Sequence, residues 1–242
     1  MTDELHCACV IHGNSYDWRY VDNLYAMLRR NLSVPVHMHV FTEAHRGVPP
    51  YMTKHVLQEW PEISGTKRAW WYKMQLFDPR HGLGRLLYLD LDVVICDSLD
   101  WLFALDPGFF WTINDWKHLW KGHWQGMNSS MMYWDHAQHP DPWQRFREHD
   151  RAEIFRGYRG DQDFLTQAVP RDRVRFFSDD LIRSWRWQVW DGGMDPRTRR
   201  YSQPGAGALL PHGTSVVVFH GQPKPHQVDD AFVKRCWHDS IM

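Results

Sequence analysis

The chain has 242 residues, 43% hydrophobic and 24% charged, which supports a packed globular core and excludes wholesale disorder. Lys plus Arg number 28 against 29 Asp plus Glu, so a formal charge of -1 offers no global basic field to nucleic acid or an anionic membrane. No apolar run approaches the roughly 20 residues needed to cross a bilayer, so no membrane span is expected.

The first 45 residues read as strand, helix, strand. LHCACVIH (5–12) is an apolar run closed by Gly13-Asn14-Ser15. YDWRYVDNLYAMLRRNL then spaces Tyr20, Leu24, Met27 and Leu28 as a helix does, with Arg29 and Arg30 in the last turn. VPVHMHVFTE (34–43) alternates as a second strand, parallel to the first through a right-handed crossover. Such an opening predicts an open α/β sheet whose ligands sit at the carboxyl ends of the strands, where His12, Gly13, Asn14 and Ser15 fall. His37 and His39 share one strand face and read as ordinary, partly buried strand histidines.

Residues 44–65 form a Pro-containing connection with room for a short helix, and TKRAWWYKMQLFDP (66–79) reads as a helix stopped by Pro79. RLLYLDLDVVICDSL follows, then a helix at 98–105 capped by Asp97, a strand at 109–115 and a loop from Trp116 to Gly126. GMNSSMMYWD (126–135) returns to strand. Helices are predicted at 140–156 and 161–168, and Arg171, Arg173 and Arg175 alternate as on a strand. Gly and Pro make 191–214, with Arg197, Arg199 and Arg200, an extended loop, before a strand at 215–221 and a helix at 228–239. No linker divides the chain. It reads as a single domain over 1–242.

Asp90 and Asp92 carry the sharpest chemistry. Residues two apart on a strand point the same way, so both carboxylates are expected to project together from the end of an apolar strand. Placed among apolar neighbours they repel and lose hydration unless a cation neutralises them. A hard divalent ion, with phosphates and water completing its shell, suits such a pair. Two chemistries share this pattern. One is a metal-dependent phosphatase of the haloacid-dehalogenase type, with Asp90 as nucleophile and Asp179-Asp180 as its late acidic motif. The other is a nucleotide-sugar transferase, favoured because two strands precede the motif.

Three later segments bear on the choice. NSSMMYWD (128–135) opens a strand with small polar residues that a sugar could approach. GDQDFLT (160–166) presents Asp161, Gln162 and Asp163 at a helix start, able to bond several hydroxyls. VVVFHGQPKPH (216–226) ends a strand in His220, which can complete a metal shell, and sets Lys224 between two prolines to neutralise a diphosphate.

YLDLDVVI, NSSMMYWD, GDQDFL and FHGQPKP, in that order over residues 5–226, resemble the bacterial transferases near glycosyltransferase family 8, the group of glycogenin and lipopolysaccharide galactosyltransferases. That resemblance implies the GT-A fold, an open mixed α/β sheet with flanking helices, with a Rossmann-like nucleotide-binding half over 1–97 and a donor-sugar and acceptor half over 98–242. It implies a hexosyltransferase using a nucleotide-diphosphate sugar, commonly a UDP-sugar, with Mn2+ or Mg2+ and retention at the anomeric carbon. Carried onto this chain, Asp90, Asp92 and His220 become the metal ligands. Asn128, Ser129, Asp161 and Gln162 hold the donor sugar, Lys73 and Lys224 face the donor and its diphosphate, and His12 and Asn14 lie on the nucleotide side. Asp161, Gln162 and Asp163 are the candidate catalytic residues. The terminal motif departs from the family's, being shorter between His220 and Lys224 and carrying His226 where Trp is common. A glycan, a lipid-linked glycan, a protein or a modified nucleic acid would each serve as acceptor.

Fifteen Trp, 12 Phe and 9 Tyr divide between two uses, a heavily aromatic core and a cleft whose flat walls suit sugar rings or bases. Trp116, Trp120 and Trp124 read either as a lid or as packing. A carbohydrate-binding protein without catalysis is therefore a third reading. Four cysteines are too few for a disulfide scaffold, and the start MTDELHCACVIHG has no basic leader before an apolar stretch, so a reducing, cytoplasmic setting is expected.

Overall fold

Leu5, Cys7 and Cys9 bury one face of the first strand, β1 (Leu5–Val10), while His6, Ala8 and Val10 occupy the other. Both faces are covered, and the sheet becomes the middle of a layered α/β fold. The computed structural model describes residues 4–63, 68–190 and 210–237. The Arg-bearing segment at 197–200 lies outside them.

On one side α1 (Arg19–Asn31) lays Tyr20, Val21, Leu24, Met27 and Leu28 into the same cluster as Cys7 and Cys9. Its apolar stripe recurs at 3.6-residue spacing, and Arg29 and Arg30 stand at its C-terminal, negative end. The second strand, β2 (Val36–Thr42), runs parallel to β1. β3 (Thr53–Val56) then adds a parallel edge strand where a connection was expected, its short run following Pro49 and Pro50. On the other side of β1, β4 (Arg85–Leu89) is parallel and β7 (Met127–Asp135) antiparallel to β4. β6 (Phe110–Asn114) and β8 (Val174–Phe176) complete a seven-stranded sheet ordered β3-β2-β1-β4-β7-β6-β8. A three-stranded sheet of β5 (Val93–Ile95), β10 (Val216–Val218) and β9 (Ile182–Ser184) lies beyond the end of β4. This mixed α/β sheet with flanking helices is the expected GT-A arrangement.

The helices differ in detail from the sequence reading. Ala69–Phe77 is 3-10 rather than α-helical, and buries every residue from Trp71 to Phe77, leaving no polar stripe to favour an amphipathic α-helix. A second 3-10 turn, Pro79–His81, starts at Asp78, whose side chain accepts from the Arg80 N–H. Asp97 does not cap the helix expected at 98–105; it accepts from the Ser98 N–H, and a 3-10 turn begins at Asp100. The segment predicted over 140–156 breaks into α2 (Asp141–Glu148) and α3 (Arg151–Gly157), the second capped by Asp150. α4 (Asp161–Ala168) falls where predicted, and α5 (Ala231–Trp237) packs against α1 and β5. Of the three alternating arginines only Arg175 stands on a strand, its guanidinium 3.9 Å over the Phe109 ring. Trp71, Trp116, Trp134, Trp185 and Trp237 are fully buried, so much of the aromatic surplus is core.

His37 and His39 join an imidazole array on the sheet face opposite α1. His39, 5% exposed, meets His6 through one ring nitrogen at 2.8 Å and His55 through the other at 2.9 Å. Burial and the neighbouring imidazoles hold His39 down at about 3 and His55 at about 4. Unfolded imidazoles bind protons near pH 6.5, so between pH 6.5 and 4 the unfolded state takes up protons that the folded state refuses. Stability is expected to fall as the pH drops through that window, by at least about 2 kcal/mol from His39 alone. Urea midpoints at pH 7 and pH 5 check this: His39→Gln should flatten the difference, and an unchanged difference would remove the array as its source.

Candidate active site

The chain leaves β4 at Leu89 and turns through Leu91-Asp92 into β5. Asp90 and Asp92 therefore sit on a turn between two sheets and not two apart on one strand, as the sequence reading had it. The Asp90 N–H donates to the Ser130 carbonyl at 2.8 Å, and the Asp92 carbonyl accepts from Phe219 N–H at 3.2 Å, pinning the turn to β7 and to the end of β10. Both residues still line one cavity of about 550 Å3, with His12, Ser15, Tyr16, Trp70, Lys73, Tyr88, Lys224 and His226. It opens beside the carboxyl ends of β1 and β4, where an α/β sheet holds its ligands.

Each carboxylate has a phenol and an ammonium. Tyr88 Oη donates to Asp90 Oδ1 at 2.6 Å, and Lys73 Nζ lies 2.8 Å from the same oxygen. Tyr16 Oη donates to Asp92 Oδ2 at 3.0 Å, and Lys224 Nζ bonds that oxygen too. Burial would raise the Asp90 carboxyl, but the Lys73 ammonium, with bonds from Tyr88 and Ser130, holds it below the ordinary range. At Asp92 the balance reverses: burial and repulsion from Asp90 outweigh Lys224 and push the carboxyl up. Of the two, Asp92 is the carboxylate whose charge the site disfavours.

Lys73 is the hinge between this cavity and a second one. Its ammonium, fully enclosed, lies 3.4 Å from Asp161 Oδ2 and donates to Ser129 Oγ at 3.1 Å. Burial disfavours that charge, yet Asp161 and Asp90 more than compensate and raise the lysine above its usual range. Ser129 Oγ in turn donates to Asp161 Oδ2 at 2.5 Å. Asn128 Nδ2 reaches Gln162 Oε1 at 3.5 Å, and its Oδ1 accepts from the Ser130 N–H. Asp161, Gln162 and Asp163 line the second cavity, of about 350 Å3, with Trp70, Lys117, Arg159 and Gly160. Asp163 is held by Arg159 at 2.7 and 3.2 Å.

The structure thus brings together Asp90, Asp92, Lys73, Lys224 and His12 around one cavity, and Asp161, Gln162 and Asp163 around its neighbour, with Ser129 bridging Lys73 and Asp161. His220 does not line the first cavity. Its Nε2 meets Ser184 Oγ at 2.6 Å and its ring stacks on Trp116 with centroids 4.8 Å apart. Burial, Arg186 and Lys224 lower it to about 4. Among the described residues no group of three or more His, Cys, Asp or Glu is placed to hold a metal ion. Asn14 is exposed and outside the cavity lining, whereas His12 stacks on Tyr72 with centroids 4.3 Å apart. Trp116 is buried against His220 and Trp120 packs on Trp187, so packing is the use the structure makes of both.

Sequence reasoning missed Tyr16, Tyr88, Trp70 and His226. Tyr88 stands two residues before Asp90 in YLDLD, a spacing that could have flagged it. His226 approaches from after β10, its Nδ1 bonded to Tyr20 Oη. Asp179 and Asp180 lie elsewhere, bonded to His118 and Arg183 at 2.8 Å each, and neither lines the Asp90 cavity. The late acidic motif that a phosphatase would need is therefore not at hand.

Two carboxylates with hard oxygen donors lining one cavity, Asp92 buried and Asp90 partly so, fit a divalent cation whose remaining shell comes from phosphates and water. His220, bonded to Ser184 and stacked on Trp116, does not line that cavity.

No protein-family model matches the chain, and no curated protein matches it. Among solved structures it is similar to the galactosyltransferase LgtC, crystallised with donor and acceptor sugar analogues, at 16% identity and a TM-score of 0.64, over 96% of this chain and 93% of that one. It is similar to the glycosyltransferase GlyE of Streptococcus pneumoniae at 14% identity and a TM-score of 0.62, over 98% of this chain but 61% of GlyE. Mouse xyloside xylosyltransferase 1 aligns at 12% identity and a TM-score of 0.50, over 90% of this chain and 98% of that one. At such identities the likeness establishes the fold, which is that of the GT-A glycosyltransferases. No helix among the described residues is long and apolar enough to cross a membrane.

Proposed function

We propose that this chain is a metal-dependent glycosyltransferase that moves a hexose from a nucleotide-diphosphate sugar, a UDP-sugar, to an acceptor hydroxyl with retention. The observation that carries the reading is one cavity lined by Asp90, Asp92, Lys73 and Lys224, at the strand ends of a glycosyltransferase fold. Asp90 and Asp92 would hold a Mn2+ or Mg2+ ion, which when bound supplies positive charge against the leaving diphosphate. Lys224 reaches Asp92 from the segment after β10, and its ammonium would also be available to phosphate oxygens of the donor. Lys73 adds a second fixed charge on the sugar side, preorganised by Asp90, Asp161 and Ser129.

The transferred sugar would lie in the neighbouring cavity, with Asp161, Gln162, Asn128 and Ser129 available for its hydroxyls. Asp161 and Gln162 face the space where the anomeric carbon gains oxocarbenium character, and Asp163, tied to Arg159, supports the rim. His12 forms the nucleotide-side wall.

The test is a panel of nucleotide sugars incubated with the protein, with and without Mn2+. The account expects slow hydrolysis of a UDP-sugar that stops in EDTA. Turnover of p-nitrophenyl phosphate without nucleotide-sugar hydrolysis would favour a phosphatase. Glycan binding indifferent to metal and to Asp92→Asn would favour a non-catalytic binding protein.

A further inference from the structure

Neighbouring tryptophans in the same 3-10 helix have opposite fates. Trp71 is 1% exposed and packs on Phe155 and Phe164, whereas Trp70 is 43% exposed, although the fold has ample core to receive it. Trp70 lines both cavities and, among the described residues, is the only one common to their walls. On its other flank Gly160 leaves it room: a Cβ there would stand 3.3 Å from Trp70 Nε1, tight enough to force the ring to shift. An indole kept in solvent, at the junction of a diphosphate-sized cavity and a hydroxyl-bonding one, is a flat apolar surface waiting for a flat apolar ligand face.

The charges beside it narrow the ligand. Each cation lining the second cavity already has a carboxylate: Lys117 lies 2.8 Å from Asp115 Oδ2, and Arg159 lies 2.7 Å from Asp163 Oδ2. Lys73, at the boundary, is shared between Asp90 and Asp161. An acidic sugar would bring its carboxylate up to Asp161, which shares its one cation with Asp90, and like charges so placed cost affinity. A neutral ring with hydroxyls on its edge and C–H groups on its face meets no such repulsion.

We infer that Trp70 is a specificity residue that stacks on the apolar face of the sugar being transferred, and that this sugar is a neutral hexose. The inference rests on the glycosyltransferase reading above and adds to it the residue that selects the hexose and the discrimination against an acidic sugar.

Calorimetric titration in Mn2+ with UDP, UDP-glucose, UDP-galactose and UDP-glucuronate tests it, using the full chain, Trp70→Ala and Trp70→Phe. UDP should bind all three proteins alike, because its contacts lie in the first cavity. At least one neutral UDP-hexose should bind the unaltered protein more tightly than UDP-glucuronate does. Trp70→Ala should weaken that ligand about tenfold, the loss of one aromatic contact, and Trp70→Phe should restore most of it. Equal affinity of Trp70→Ala and the unaltered protein for the neutral donor would overturn the role of Trp70. Tighter binding of UDP-glucuronate would overturn the neutral class. Absence of UDP binding in every protein would overturn the underlying reading instead, and with it the inference.

Discussion

Lys73→Ala is expected to be the most damaging single substitution in the protein. The ammonium is enclosed between Asp90 Oδ1 at 2.8 Å and Asp161 Oδ2 at 3.4 Å, with Ser129 Oγ as a further partner. Removing one member of a buried ionic set leaves the others uncompensated, at a cost of about 3–5 kcal/mol. Here two carboxylates lose their shared cation, so urea denaturation should show a loss at the upper end of that range. Lys73→Arg should recover part of the stability, since the charge is kept, but not sugar-nucleotide hydrolysis, because a planar fork cannot occupy the same three-partner niche. Stability of Lys73→Ala within about 1 kcal/mol of the unaltered protein would show that the enclosed ion set is not what joins β4, β7 and α4.

The second large effect is on chemistry rather than folding. Asp92→Asn is expected to lower UDP-sugar hydrolysis by about a hundredfold to a thousandfold, the scale of losing an electrostatic contact to a developing charge. Its stability should change little. Burial and the nearby Asp90 already disfavour the Asp92 charge, and an amide oxygen can still accept from Tyr16 and Lys224. Thermal unfolding and hydrolysis rates on the same preparation separate the two effects. Asp179→Asn, in the acidic pair bonded to His118 away from the cavity, serves as the control and should leave hydrolysis unchanged.

The acidic pair stood out because apolar runs flank the two carboxylates on both sides, and both do line one cavity. The strand argument that aimed them was wrong in detail, since nothing in RLLYLDLDVVI marks where one sheet ends and the next begins. Lys73 and Lys224 were found, but as contacts to a donor. Their present partners, Asp90 with Asp161 and Asp92, depend on distances across the fold that no local pattern encodes. His220 stands at the end of β10 as read, and its contacts to Ser184 and Trp116 are likewise invisible to any local pattern. β3 was missed because a four-residue edge strand after two prolines carries no periodicity of its own. The difference between Trp70 and Trp71 was equally hidden, because adjacent residues in an apolar segment differ only in what the fold later packs against them.

The account turns on whether a cation held by Asp90 and Asp92 lets the first cavity grip a nucleoside diphosphate. Calorimetric titration of UDP into the unaltered protein, with Mn2+ and then with EDTA, measures this directly, and Asp92→Asn repeats it. Binding that requires Mn2+ and weakens at least about tenfold in Asp92→Asn is the predicted result. UDP binding indifferent to both the ion and Asp92, or no binding by the folded protein under any of these conditions, would contradict it.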